Sequence, residues 1–90
     1  MEKKNYVYIL KCSDGTFYTG WTTDIEARVN THNSGSGAKY TRSRRPVSLV
    51  YYEELADRSA ALKREAAIKK LPRNKKIALI NSNPAGLYTD

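Results

Sequence analysis

Residues 5–22, NYVYILKCSDGTFYTGWT, decide the fold of this chain. Tyrosine, valine, isoleucine and leucine crowd residues 5–11, and aromatic and β-branched residues return over 17–22, so both stretches are typical of β-strands. Between them, residues 13–16 (SDGT) form a turn signal, because glycine adopts a positive φ without steric cost. The pattern therefore predicts a β-hairpin near the start of the chain.

The register of this hairpin decides whether two tyrosines share one face of the sheet. A two-residue loop pairs Tyr8 with Trp21 and puts Tyr18 on the opposite face, because strand side chains alternate. A three-residue loop pairs Tyr8 with Gly20 and puts both tyrosines on the same face. The sequence leaves both registers open, and a site that uses both hydroxyls requires the second register or a bulge with the same effect.

Three helices and one further strand are predicted after the hairpin. Thr23 and Glu26 have the spacing of a capping box, which should open a helix that runs to about Asn33. Glycine and serine at 34–37 end it, and residues 38–46 read as a basic loop.

The second half of the chain is predicted to form one strand followed by two helices. A strand over 47–53 is followed by a helix that Asp57 caps and Pro72 ends. Pro72 also suits the first turn of a third helix, which we expect to bury Ile77 and Ile80.

These elements predict a small α+β domain with the order β-β-α-β-α-α. We expect a three-stranded, mainly antiparallel sheet flanked by helices. A chain of 90 residues fits one domain. We assign residues 1–82 to that domain and residues 83–90 to a short C-terminal tail.

The charge balance points to an anionic partner. Sixteen Lys and Arg stand against 9 Asp and Glu, which gives a formal net charge of +7. Nucleic acid is the first candidate; a membrane partner is not expected, since the chain lacks a lipidation motif and an apolar run of about 18 residues. The single Cys12 cannot form an internal disulfide, which favours a reducing, cytoplasmic setting.

Arg28 and His32 are four residues apart on the predicted first helix, so their side chains share a face. The simplest interpretation is an exposed ion pair between Asp24 and Arg28 beside a surface histidine. A lone histidine also argues against a histidine-built zinc site. The alternative is that both side chains belong to a site.

Glu65 is the sharper signal because it lies in the apolar stripe of the second long helix, between Ala61 and Ile68. A carboxylate there requires a cation or hydrogen-bond donors. Three interpretations stay open, namely a salt bridge to Arg28, an edge position that reaches water, and a ligand for a hard cation. Mg²⁺ often takes only one or two protein carboxylates and keeps several waters.

Basic residues gather in two segments that suit contacts with a phosphate backbone. The first segment, residues 39–45, contains no acid and four cations, Lys39, Arg42, Arg44 and Arg45. The second segment, residues 63–76, is rich in lysine and includes Lys69 and Lys70.

The joint pattern resembles the GIY-YIG nuclease family. Its first motif corresponds to residues 6–8 (YVY), with tyrosine at the usual leading glycine, and its second to residues 18–20 (YTG). The family's Arg-x-x-x-His element corresponds to Arg28 and His32, and its metal-binding glutamate to Glu65.

The resemblance covers about residues 5–80. Residues 37–42 (GAKYTR) and 66–71 (AAIKKL) are similar to small stand-alone bacterial members of that family. The family often has an asparagine downstream of the glutamate, and both Asn74 and Asn81 are candidates.

The resemblance implies a metal-dependent endonuclease that uses Mg²⁺ or Mn²⁺. Tyr18 would orient or deprotonate the attacking water, with help from Tyr8. Arg28 would bind the scissile phosphate, His32 would hydrogen-bond Tyr8 or shuttle a proton, and Glu65 would hold the metal ion.

The substrate implied is structured or single-stranded DNA in preference to RNA, with an unidentified protein partner as one source of specificity. The alternative function is a nucleic-acid-binding module with weak or lost catalysis. An interaction domain for an acidic protein is a third reading of the same charge.

Overall fold

The computed structural model describes residues 4–82, so the predicted tail, residues 83–90, lies outside the described residues. Along the chain the elements are β1 (Asn5–Lys11), β2 (Phe17–Thr22), α1 (Ile25–Asn33), α2 (Lys39–Arg42), β3 (Ser48–Leu55), α3 (Arg58–Lys69) and α4 (Arg73–Ser82). The three strands form one antiparallel sheet in the order β2-β1-β3. The prediction of an α+β fold with a three-stranded sheet is confirmed.

The hairpin has the three-residue loop. Cys12 and Thr16 close it with a backbone hydrogen bond of 2.8 Å, and Gly15 adopts a φ of +86° within it. Tyr8 therefore pairs with Gly20, two positions from the pair that contains Tyr18. Both tyrosines lie on one face of the sheet, as the second register required.

Each face of the sheet carries its own apolar cluster. On the face that holds Tyr8, the buried residues pack with Val29 of α1; they are Tyr8, Leu10, Cys12 and Val47. On the other face, the buried residues are Val7, Ile9, Tyr51, Ala61 and Ile68, of which the last two belong to α3. The central strand β1 is thus covered on both sides, which explains why its middle residues are apolar throughout.

The first helix is capped one residue later than predicted. Asp24, not Thr23, is the N-cap, and its carboxylate accepts a hydrogen bond of 3.1 Å from the amide of Ala27. The hydroxyl of Thr22 bonds the backbone of Asp24 and holds the cap in place. By contrast, Asp57 caps α3 as predicted, with a hydrogen bond of 2.8 Å from Ala60.

Two further expectations are wrong. The basic loop contains the short helix α2, whose first turn is closed by a hydrogen bond from Thr41 to Ala38. Ile77 is 37% exposed because α4 packs through Leu79 and Ile80 instead. Within residues 4–82 the longest helix is α3, with 12 residues, and no helix could cross a membrane.

Gly20 is required because the Tyr8 ring lies directly over it. A Cβ atom at position 20 would lie 2.5 Å from Tyr8 Oη and 2.8 Å from Cζ. We expect Gly20→Ala to lower the free energy of unfolding by about 1–3 kcal/mol through overpacking, as measured by urea denaturation. In a Tyr8→Phe background the loss should be smaller, because the closest atom is gone. Equal losses in both backgrounds would contradict this packing.

Candidate active site

A buried hydrogen bond joins the central strand to α1. Tyr8 Oη lies 3.1 Å from His32 Nε2, and the two residues are 1% and 2% exposed. Tyr8 projects from the middle of β1, and His32 lies in the last turn of α1. The simplest interpretation, a surface histidine, is therefore wrong.

Tyr18 completes the aromatic group around His32. Its ring meets the imidazole edge-on, with 5.2 Å between the centroids. Burial and, to a smaller extent, the charge of the neighbouring Tyr18 raise the pKa of Tyr8 to about 12. Tyr8 consequently keeps its proton at neutral pH. Tyr18 is half-buried and faces open space, so it is the phenol that water can reach.

Arg28 brings a positive charge to the same site. Its charge and its hydrogen bonding lower the pKa of Tyr8. Burial, and then the charge of Arg28, also lower the pKa of His32, which favours the neutral imidazole. Within residues 4–82 Arg28 forms no ion pair, so the simple interpretation of an Asp24–Arg28 pair is wrong.

Glu65 approaches the site from α3, which packs against both β1 and β2. Its negative charge is the smallest of the causes that raise the pKa of Tyr8. Its side chain is only 16% exposed, and its Oε2 atom pairs with Lys69 Nζ at 3.1 Å. The salt bridge to Arg28, one of the three interpretations, does not form. The side chain keeps a small exposed fraction and pairs with a half-exposed lysine, so the edge position and the cation ligand both stay open.

A cleft of about 460 Å³ opens beside these residues. It is lined by Tyr18, Arg28, Thr31, His32, Ser36, Gly37 and Ala38. Three of the five predicted catalytic residues thus line the cleft, while Tyr8 is buried in contact with His32 and Glu65, on α3, is not part of the lining. On the other side of Tyr18 is a pocket of about 200 Å³, lined by Phe17, Tyr18, Thr19, Tyr40, Lys69 and Lys76.

Two residues that sequence reasoning missed hold His32 in place. Thr41 is fully buried, and its hydroxyl lies 2.8 Å from His32 Nδ1. A Cβ atom on Gly37 would collide with His32 Nδ1 and lie 2.8 Å from its Cα, so only glycine allows this approach. No periodic pattern marks Thr41, since it lies in a stretch that reads as a charged loop.

The cations of the first basic segment differ in what they contact. Arg44 pairs with Asp14 at 3.0 Å and stacks over the Tyr40 ring at 4.0 Å, so it fastens α2 to the hairpin. Arg42 and Arg45 line a concave surface of about 470 Å³ with Asn33, Ser43 and Pro46. Lys39 is exposed at the start of α2.

In the second segment the lysines differ in the same way. Lys69 pairs with Glu65 and lines the smaller pocket, whereas Lys70 is exposed at the end of α3. Asn74 and Asn81 are both exposed on α4, and neither lines the cleft. The geometry therefore favours neither asparagine.

The oxygen ligand available at this site suits a hard divalent cation that takes one ligand from the protein. Within residues 4–82 no three His, Cys, Asp or Glu side chains cluster as a metal centre. Glu65 is a largely buried carboxylate whose ion pair occupies one oxygen. Mg²⁺ and Mn²⁺ accept such a site when water and substrate phosphate supply the remaining oxygens.

Comparison with known proteins shows the family of this chain. A model of the GIY-YIG catalytic domain matches residues 4–78. A UPF0213 protein of Syntrophus aciditrophicus is 62% identical over 82 residues, covering 90% of this chain and 94% of its own length. One of Clostridium perfringens is 58% identical over 78 residues, covering 87% and 84%.

Two solution NMR structures are also similar. A UPF0213 protein from Bacillus halodurans has a TM-score of 0.60 and 44% identity, over 91% of this chain and 87% of that one. A protein from E. faecalis has a TM-score of 0.62 and 47% identity, over 90% and 86%.

The lowered pKa of His32 predicts a pH dependence of stability. The unfolded chain binds a proton near pH 6.5, whereas folded His32 binds one only at lower pH. The free energy of unfolding should therefore fall as the pH drops below 6.5 and level off below the folded pKa. Urea unfolding between about pH 5 and pH 8 measures this fall.

His32→Gln is the matched control, because the chain has a single histidine. The variant should lose the pH dependence in this window. If wild-type stability were flat between pH 6.5 and about pH 5, the neutral, buried histidine would be contradicted.

Proposed function

The chain belongs to the GIY-YIG catalytic domain family, a superfamily of nucleases, and we propose that it is a divalent-metal-dependent endonuclease that hydrolyses phosphodiester bonds in nucleic acid. One observation carries the proposal. Tyr18, Arg28 and His32 line a single cleft, and the carboxylate of Glu65 lies close enough to influence Tyr8 behind it.

Each residue of the cleft has a distinct task. Tyr18 forms a hydrogen bond with the attacking water and orients a lone pair of the water oxygen toward phosphorus. Arg28 has no competing ion pair within residues 4–82, so its guanidinium is available for the scissile phosphate and for the charge that develops in the transition state. Tyr8 keeps its proton and forms the buried hydrogen bond with His32, whose ring stays neutral.

Glu65 would hold the metal ion, Mg²⁺ or Mn²⁺, which when bound polarises the phosphate and stabilises the leaving oxygen. The carboxylate already has a cationic neighbour, Lys69, whose side chain is 53% exposed. The lysine end of this i,i+4 ion pair is exposed, although the carboxylate end is largely buried. Lys69 is therefore able to turn from Glu65 to a phosphate of the substrate.

A nucleic-acid strand has a favourable course across Tyr18. The cleft with Arg28 lies on one side of this residue, and the pocket with Lys69 and Lys76 lies on the other. Tyr40 stacks on Tyr18, with 6.0 Å between the ring centroids, and offers an aromatic surface for a base. Such a surface suits single-stranded or structured substrates.

DNA is the first substrate to test and RNA the second. The cations that position the backbone are Lys39, Arg42, Arg44, Arg45, Lys69 and Lys70, of which Arg44 is partly committed to Asp14. A protein partner would add specificity, because contacts with phosphates do not select sequence. The buried, free Cys12 suits the reducing cytoplasm.

A second candidate function is nucleic-acid binding with weak or lost catalysis. The observation that favours it is the Glu65–Lys69 ion pair, which competes with a metal ion for the carboxylate. Salt-sensitive binding without a metal-dependent product would identify this function.

Removing the acid or the guanidinium should abolish cleavage. We expect Glu65→Gln and Arg28→Ala each to lower kcat by about 100-fold or more, because each removes a stabilising contact made in the transition state. The assay uses single-stranded and branched DNA at low salt with Mn²⁺. Glu54→Gln, which changes an exposed glutamate that pairs with Lys4, is the control and should cut like wild type. Full activity in either test variant would contradict the site.

Binding should weaken steeply with salt, because cations of the chain replace counterions on the backbone. We expect Arg42→Ala and Arg45→Ala each to reduce the slope of log affinity against log salt by about 1. Their effect should be equal for DNA strands of unrelated sequence. Fluorescence anisotropy from low to moderate salt measures the slope, and an unchanged slope would exclude the concave surface as a contact.

A further inference from the structure

We propose that Thr41 is a positioning residue that sets the tautomer of His32, so that Nε2 is the nitrogen that accepts a hydrogen bond from Tyr8. Its effect on cleavage rests on the proposed function, but its effect on the imidazole does not. The proposal follows from the directions of three hydrogen bonds, two of them buried and one partly buried.

The hydrogen bond between Thr41 and Ala38 fixes the direction of the other two. Thr41 Oγ1 donates to the carbonyl oxygen of Ala38 at 2.9 Å. A hydroxyl has one proton, so toward His32 Nδ1, 2.8 Å away, Thr41 is only an acceptor. Nδ1 therefore carries the proton of the ring.

The direction of the hydrogen bond between Tyr8 and His32 follows from counting the protons on the imidazole ring. A neutral imidazole has one N–H group, so Nε2 is unprotonated, and the 3.1 Å contact is a hydrogen bond that Tyr8 donates to His32. A doubly protonated ring would reverse this bond. Burial and the charge of Arg28 lower the pKa of His32 and favour the neutral form.

Burial leaves the ring few alternative partners. Tyr8, His32 and Thr41 are 1%, 2% and 0% exposed, so bulk water does not compete for these bonds. The hydrogen bond made by one ring nitrogen decides the state of the other. Thr41, on α2, thus determines how His32, on α1, meets Tyr8 on the sheet.

The consequence for the cleft concerns Arg28. Because the Tyr8 proton points to His32, the lone pairs of its oxygen are left for the guanidinium, whose hydrogen bonding lowers the pKa of Tyr8. All donors then point the same way, from Arg28 through Tyr8 and His32 to Thr41. With the other tautomer, His32 would donate to Tyr8 and compete with Arg28 for the same oxygen.

Two variants separate the hydroxyl of Thr41 from its shape. Thr41→Ser keeps the hydroxyl, and Thr41→Val keeps the branched shape without it. Long-range ¹H–¹⁵N NMR distinguishes a protonated ring nitrogen from an unprotonated one, and the single histidine makes the assignment unambiguous. We expect Nδ1 to be protonated and Nε2 unprotonated in the wild type and in Thr41→Ser, and the proton to move to Nε2 in Thr41→Val.

Kinetics test the link to the reaction. We expect Thr41→Val to lower kcat by about 10-fold or more with KM for DNA nearly unchanged, and Thr41→Ser to restore most of the rate. A wild-type ring protonated at Nε2 would overturn the proposal even if Thr41→Val failed to fold. An unchanged tautomer in a folded Thr41→Val would overturn it as well. A wild type that does not cut, but has the expected tautomer, would refute the nuclease function and leave the role of Thr41 intact.

Discussion

The hydrogen bond between Tyr8 and His32 links the sheet to its first helix, and the cleft is built around it. Tyr8 is buried in the middle of the central strand, where two neighbouring strands and two layers of helices fix its position. Its ring reaches His32 over Gly20, which supplies the space. Since both partners are almost fully buried, their bond orients the face of α1 that also carries Arg28.

The distribution of ion pairs explains why this cleft is positive. Glu53 accepts two hydrogen bonds from Arg64 on the far side of α3, and Asp14 holds Arg44 at the hairpin. Neither acid neutralises Arg28, which forms no ion pair within the part of the chain that the structure describes. In a chain with a formal net charge of +7, a phosphate in the cleft therefore meets a guanidinium that has no ion-pair partner among residues 4–82.

Local patterns predicted the hairpin, the positions of the strands along the chain and Asp57 as a helix cap, because these depend on neighbouring residues. The sequence predicted the register only as one of two options, since the loop length decides it. Thr41 could not be predicted, because its partner His32 is nine residues away and only the turn into α2 brings them together. Ile77 was wrongly expected in the core, because periodicity does not reveal that no element covers that face of α4.

Paramagnetic broadening by Mn²⁺ tests most directly whether one carboxylate and the cleft form a single site. In the chain bound to a non-hydrolysable oligonucleotide, substoichiometric Mn²⁺ should broaden the NMR signals of Tyr8, Tyr18 and His32 first. Glu65→Gln should abolish that broadening. Broadening centred on an acid far from the cleft, such as Asp57, or broadening that survives in Glu65→Gln, would contradict the account.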